Sequence, residues 1–191
     1  MRWFTSDTHW GHNNILKLGK GRPFADMDEM REELISRFNA RVNPGDTWYH
    51  LGDVSFERRI EDTFNILDRL NGQGHLIKGN HDRREIEKWT GWQSVSDLKE
   101  ISISVNGDKH MVIMCHYPLL TWNRIGHGAW MLHGHCHGNL HVPDEDKIAR
   151  MDVGVDCHNF APISEDQVAS IMLRRVGYTP PDHHQGYTDN L

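Results

Sequence analysis

Arg2-Trp3-Phe4-Thr5-Ser6-Asp7-Thr8-His9 is a short apolar run that ends in a polar triplet. It reads as a first strand, Arg2 to Ser6, delivering Asp7 and His9 at its carboxyl end. The same arrangement returns at Thr47 to Leu51 before Gly52-Asp53, and at His75 to Lys78 before Gly79-Asn80-His81-Asp82. Helical signals lie between these strands. Asp26 with Glu29 three residues on forms a capping box, and Met27, Met30, Leu34 and Phe38 follow near helical spacing until Asn43-Pro44-Gly45 breaks it. Ile60, Phe64, Leu67 and Leu70 give a second amphipathic helix closed by Asn71-Gly72. Strand alternating with helix predicts an α/β layered domain.

Further along, a helix is expected near Arg84 to Trp89, and then the pattern changes. Ile101, Ile103 and Val105 alternate up to Asn106-Gly107, and Met111, Ile113 and Cys115 alternate after it, which predicts a tight hairpin. Strands are expected at Ala129 to His133, Asn139 to Val142 and Met151 to Val155, and a last helix opening at Ser164. With neither repeats nor a linker, the reading is one domain over residues 1–176 and a flexible polar tail over 177–191, which holds His183 and His184.

Composition narrows the function classes. A chain of 191 residues with 37% hydrophobic and 25% charged residues suits one well-buried domain. No apolar run approaches the roughly 20 residues of a membrane span, and no signal-peptide pattern precedes the first strand, so a cytoplasmic location without a membrane partner is expected. Three cysteines without C-x-x-C spacing support neither a disulfide framework nor a zinc ribbon. A net charge of −6 argues against bulk capture of nucleic acid, although bound divalent metals would reverse the local field for a nucleotide. The 15 histidines are the anomaly, many of them beside Gly, Asp or Asn.

Five polar motifs follow expected strands: Asp7-Thr8-His9, Gly52-Asp53, Gly79-Asn80-His81-Asp82, Cys115-His116 and Gly134-His135-Cys136-His137. At the carboxyl ends of strands in a layered α/β sheet they converge on one edge. Asp7 and His9, two apart on extended backbone, point to one side; His135 and His137 do the same, with Cys136 between them pointing away. Each motif alone is common, and His116 alone suits a structural histidine. Their conjunction in one small domain is not common.

The set resembles the calcineurin-like metallophosphoesterase superfamily, whose motifs run D-x-H, G-D, G-N-H-[DE], H and G-H-x-H, and within it a compact branch of bacteria and phages. Arg22-Pro23-Phe24, His116-Tyr117-Pro118-Leu119 and Asp152-Val153-Gly154-Val155-Asp156 add to the likeness. The resemblance implies two stacked mixed β-sheets flanked by α-helices and two divalent metal ions. Asp7, His9 and His137 would hold one ion, Asn80, His116 and His135 the other, and Asp53 would bridge them. A carboxylate can bridge two ions about 3.5–4 Å apart, whereas an imidazole offers one free nitrogen. Nitrogen and oxygen ligands without thiolate suit manganese, taken first, or iron, zinc or nickel. Gly52-Asp53-Val54-Ser55-Phe56 departs from the frequent G-D-x-x-[DE] form, at a position that is not a ligand.

The implied reaction is metal-assisted hydrolysis of a phosphate ester, with His81 protonating the leaving oxygen or binding the phosphoryl group and Asp82 orienting His81. A structural role for His81 stays open. His12, in the loop after His9, is a candidate hydrogen-bond donor to a phosphoryl oxygen or an ordinary loop residue. Arg22, Trp122 and Arg124 are candidate substrate contacts, Trp122 and Arg124 joining Trp10 as a stacking wall for a base; core or surface roles suit each equally. The expected substrate is a small, nucleotide-like phosphate ester. A nuclease or nucleic-acid end-processing enzyme is the alternative, and a non-catalytic scaffold a remote one.

Overall fold

The computed structural model describes residues 1–18 and 21–178. Most of the expected tail, with His183 and His184, lies outside them. Two mixed sheets carry the fold. The first has the order β4-β3-β2-β1-β9, from β1 (Arg2–Thr5), β2 (Thr47–His50), β3 (Gln73–Ile77), β4 (Trp92–Ser96) and β9 (Ile163–Ser164). Strands β1 to β4 are parallel, and β9 runs antiparallel to β1. The second sheet has the order β5-β6-β7-β8, from β5 (Leu98–Val105), β6 (Asp108–Cys115), β7 (Trp130–His133) and β8 (Arg150–Asp152). Here β5 and β6 are antiparallel, and β6, β7 and β8 are parallel. Helices α1 (Met27–Asn39), α2 (Ile60–Leu67) and α3 (Glu165–Met172) complete it.

Period-two alternation sorts the central strands into two apolar faces. Phe4, Tyr49, Leu51 and Ile77 meet Val112, Met114, Trp130 and Leu132 between the sheets, and α3 adds Val168 and Met172. The alternate residues Trp3, Trp48 and Leu76 pack under Met30, Leu34 and Phe38 of α1 and Leu67 of α2. Strands buried on both faces read as continuous apolar runs, which is why β2 and β7 show little alternation in sequence. Asp26 caps α1 by accepting the amides of Asp28 and Glu29, and Ser164 with Gln167 forms a capping box on α3. Asn106 and Gly107 both take positive φ, 53° and 92°, as a tight hairpin turn requires.

Three expectations are corrected, and two strands are added. Asn139 to Val142 forms no strand; the segment is partly exposed and runs into Pro143, which has no amide to donate. Arg84–Lys88 is a short 3-10 turn, because only Ile86 among its charged neighbours is buried. The strand expected at Met151 to Val155 is limited to Arg150–Asp152, with Val155–Cys157 coiling as a 3-10 turn. Strands β4 and β9 went unanticipated: β4 is a half-exposed edge without clear alternation, and β9 is two residues long.

Candidate metal centre

The carboxyl ends of β1, β2, β3, β6 and β7 bring Asp7, His9, Asp53, Asn80, His116, His135 and His137 to one edge of the sandwich. An isolated parallel bridge between Ser6 and Gly154 ties the two sheets there. The amides of Asp7, His9 and Trp10 donate to the carbonyls of Gly52, Asp53 and Val54, so the loop after β1 runs alongside the loop after β2.

The backbone does this in an unexpected way. Asp7, His9, Asp53, His135 and His137 all have positive φ, between 48° and 68°. Such left-handed conformations cost a residue with a β-carbon roughly 1–3 kcal/mol, and Asp, Asn and His tolerate them better than most. Neither Asp7-Thr8-His9 nor His135-Cys136-His137 is extended, which corrects the expected reason for their convergence. Thr8, between the first pair, turns inward: its hydroxyl donates to the Val54 carbonyl and lies 2.9 Å from His50 Nε2.

Close glycine packing makes room for the carboxylates. A β-carbon on Gly134 would sit 2.0 Å from Ser6 Oγ and 2.6 Å from Asp7 Oδ2, and one on Gly79 would sit 2.3 Å from Asp53 Oδ1.

Several acceptor atoms face one another with their lone pairs. Asp53 lies with Oδ2 3.6 Å from His9 Nε2 and Oδ1 3.6 Å from His116 Nε2. His116 Nδ1 donates to the Leu51 carbonyl at 2.7 Å, so its Nε2 carries a lone pair, yet that nitrogen is 2.9 Å from the acceptor Asn80 Oδ1. His135 Nδ1 is 3.0 Å from the same oxygen. His9 Nε2 is buried with no hydrogen-bond partner. Asp7 is fully buried, its carboxylate taking the His135 amide, and burial pushes its carboxyl above the usual range. A buried carboxylate and an orphaned imidazole nitrogen are costly without a partner. The donor set therefore fits divalent metal: Asp7, His9 and His137 form one group able to hold an ion, and Asp7, Asp53 and His116 another. Neither group includes a cysteine.

Behind the donors lies a support that sequence reading missed. His137 Nδ1 donates to Asp156 Oδ2 at 2.7 Å, which leaves its Nε2 for the centre. Asp156 is held by both Nε and a terminal nitrogen of Arg22, at 2.9 and 2.8 Å. The rest of the guanidinium donates to the carbonyls of Asp7 and Thr8 at 2.7 and 2.8 Å. Burial raises the Asp156 pKa, but the bonds to His137 and Arg22 outweigh it and hold the carboxyl below its ordinary value. Burial works against charge on His137 too, and there Asp156 and Asp7 prevail and raise its pKa, so protons compete with metal for this ring. The available signals for Asp156 were its place just past the strand expected at Met151 to Val155 and its part in the Asp152-to-Asp156 stretch that adds to the family likeness.

The assignments of Arg22, Trp10, Trp122 and Asp82 are corrected. Arg22 is buried with its donors spent inside the protein, so it braces the centre and does not contact substrate. Trp122 is buried, with Nε1 donating to the Ala129 carbonyl, and Trp10 is buried as well, so neither forms a stacking wall. Arg124 is exposed, with a left-handed backbone ahead of a 3-10 turn. Asp82 does not orient His81: its two oxygens take the amides of Asp53, Val54 and Gly79 and lock the two loops together. The His81 ring stays exposed, while its amide donates to Asp53 Oδ1 at 2.9 Å. His12 stacks on Phe56, ring centroids 4.3 Å apart, with its Nδ1 3.3 Å from His9 Nδ1. Phe56 also packs against His9 and His81, at 5.1 and 5.0 Å, so the residue replacing the acid of G-D-x-x-[DE] is a platform for three histidines.

His50, beneath the centre, carries a pH consequence. Burial, reinforced by the His116 and His9 rings, lowers its pKa to about 3 from an ordinary 6.5. The unfolded chain binds this proton first, so His50 leaves stability intact above pH 6.5 and erodes it as pH falls towards 3. His50→Gln, which keeps a donor for Thr8, is expected to flatten the fall of unfolding free energy between pH 6 and 4 by up to about 1.4 kcal/mol per pH unit. Urea titrations of metal-free protein check this; parallel profiles for the two proteins would show that the proton goes elsewhere.

No protein-family model matches the chain. The uncharacterized protein MJ1445 of Methanocaldococcus jannaschii is 31% identical over 175 residues, which cover 89% of this chain and 90% of the archaeal protein. The chain belongs to the MJ1445 family. The crystal structure of AQ665 from Aquifex aeolicus, a protein of unknown function, superposes with a TM-score of 0.66 at 23% identity, covering 90% of this chain and 98% of that one, and shows the same fold. A novel archaeal phosphodiesterase aligns at a TM-score of only 0.45 and 19% identity, over 80% and 81% of the two chains, and carries no weight here. No helix among the described residues is long and apolar enough to cross a membrane.

Proposed function

We propose that this member of the MJ1445 family is a metallophosphoesterase of the calcineurin-like superfamily that hydrolyses phosphate esters with two divalent ions. The observation that carries the reading is the facing of lone pairs around Asp53, whose two oxygens each address a different histidine. His9 and His137 with Asp7 would hold one ion; His116, His135 and Asn80 would hold the other, with Asp53 between. Manganese suits this nitrogen and oxygen set, as do iron, zinc and nickel. A bound pair supplies Lewis-acid stabilisation of the phosphoryl charge and acidifies a water for attack.

The chain's own residues supply positioning and proton transfer. With His9 Nε2 committed to the centre, its Nδ1–H donates to His12 Nδ1, which leaves the His12 Nε2–H to donate to a phosphoryl oxygen. His81, which packs on Phe56 with its ring exposed and sits next to Asn80, would protonate the leaving oxygen. On the Asp156 side of His137, a cavity of about 710 Å³ lined by Ile15, Leu18, Pro23, Asn139, Cys157 and Phe160 has the volume of a small-molecule site. It supports a compact organic ester, nucleotide-like in size, as substrate.

The test compares esters with good and poor leaving groups in manganese and in zinc. His81→Ala is expected to keep its metal and lose roughly 10²–10⁴-fold in kcat on alkyl esters, with a smaller loss on nitrophenyl esters, whose leaving group needs no proton. Equal losses on both would reassign His81 to phosphate binding. His12→Ala should lower kcat/KM roughly tenfold and also weaken metal retention, since His12 fixes the His9 tautomer. Absence of any metal-dependent turnover in the wild type would remove the proposal.

A further inference from the structure

Two loops leave the centre on the His81 side: Phe56-Glu57-Arg58-Arg59 after Asp53, and His81-Asp82-Arg83-Arg84 after Asn80. Their four arginines are all exposed. The loops are cross-braced, because the Arg83 guanidinium donates to the Glu57 carbonyl at 2.8 Å and the Arg58 carbonyl at 3.3 Å. Three of the nearby carboxylates are engaged. Asp82 takes three backbone amides, Glu57 pairs with Arg31 at 3.0 Å, and Glu61 pairs with Arg59 at 3.6 Å. Glu85 and Glu87 follow in the next turn, and both are exposed. Four guanidinium groups thus gather at one rim, among carboxylates that include Asp62, Glu85 and Glu87. Phe56, the residue between this rim and the centre, is the platform on which His12 and His81 pack.

We propose that this arginine rim is a second phosphate-binding site, which holds phosphate groups flanking the one being cleaved. The inference builds on the phosphoesterase reading and narrows its substrate class to esters bearing more than one phosphate. Guanidinium groups match phosphate oxygens in geometry and charge, and a rim that starts two residues beyond Phe56 lies where a substrate chain would run on from the scissile group. The same chemistry serves a nucleic-acid strand and a polyphosphate chain. A rim of this size engages only two or three phosphates, so it is compatible with an acidic protein that does not capture nucleic acid in bulk.

Binding is measured in EDTA, without turnover, by fluorescence anisotropy of a labelled short oligothymidylate and by competition with inorganic tripolyphosphate. The outcome is therefore independent of whether the enzyme hydrolyses any ester. Arg58→Ala/Arg84→Ala should weaken affinity roughly tenfold and make the log–log salt dependence shallower by about 1.4, at about 0.7 per lost phosphate contact. Arg58→Glu/Arg84→Glu should weaken it further. Thermal melts matching the wild type verify folding, which these exposed positions do not threaten. Loss for either probe supports the rim, and the probe that loses more tells whether the flanking phosphates belong to a strand or to a polyphosphate. Affinity and salt slope unchanged for both probes, or no binding of either to the wild type at low salt, overturns the proposal.

Discussion

Asp53→Asn is expected to drop the metal content from two ions per chain to at most one and to lower kcat by roughly 10³-fold or more, the scale of several kcal/mol of charge stabilisation. A carboxamide has one acceptor oxygen and cannot face His9 Nε2 and His116 Nε2 as Asp53 does at 3.6 Å each. Its single carbonyl can still accept the His81 amide, so the loops stay in place and the loss is one of charge and ligation. Elemental analysis under saturating manganese or zinc, alongside turnover of a nitrophenyl diester, reads both effects. Two ions retained at near wild-type rate would end the bridging role.

Removing Arg22 should have the largest effect on stability. Arg22→Met breaks two bonds to Asp156 and strands the carbonyls of Asp7 and Thr8, all at a guanidinium that is 4% exposed. Breaking one side of a buried pair typically costs about 3–5 kcal/mol. Arg22→Lys keeps the charge but not the planar fork, so it should recover only part. In the double variant Arg22→Met/Asp156→Asn the losses should sum to less than the two singles, because the stranded carboxylate is gone. Urea unfolding of metal-free protein measures all four. A single-variant loss below about 1 kcal/mol would mean that water replaces the guanidinium.

The layered fold could be read from the chain because its signals are local. Asp26 and Ser164 mark helix starts, Asn106-Gly107 marks the hairpin, and each polar motif announces the end of a strand. The residues that the structure brings together at the sheet edge were also legible, since one-letter order suffices to find Asp7, His9, Asp53, Asn80, His116, His135 and His137. What stayed hidden depends on contacts distant in sequence. Arg22 and Asp156 are 134 residues apart, and nothing local tells a buried fork from a substrate contact. Asp82 looked like a partner for the adjacent His81, yet its acceptors are claimed by amides up to 29 residues away. Trp10 and Trp122 offered flat surfaces in sequence, but burial removes both from use. Strand β9 pairs at only two positions, too few to leave a pattern.

The five left-handed residues at the centre tie conformational stability to the proposed chemistry. At each of them glycine is the conformationally easiest choice, so replacing a proposed metal ligand by glycine would remove a ligand and relieve backbone strain in one step. Selection for thermal resistance alone, with no demand for turnover, would accordingly drift first into these positions, and the hardiest metal-free variants would be the dead ones. Engineering a durable catalyst from this scaffold therefore has to leave the loops after β1, β2 and β7 untouched and seek its gains elsewhere, for instance on the exposed faces of α1 and α2.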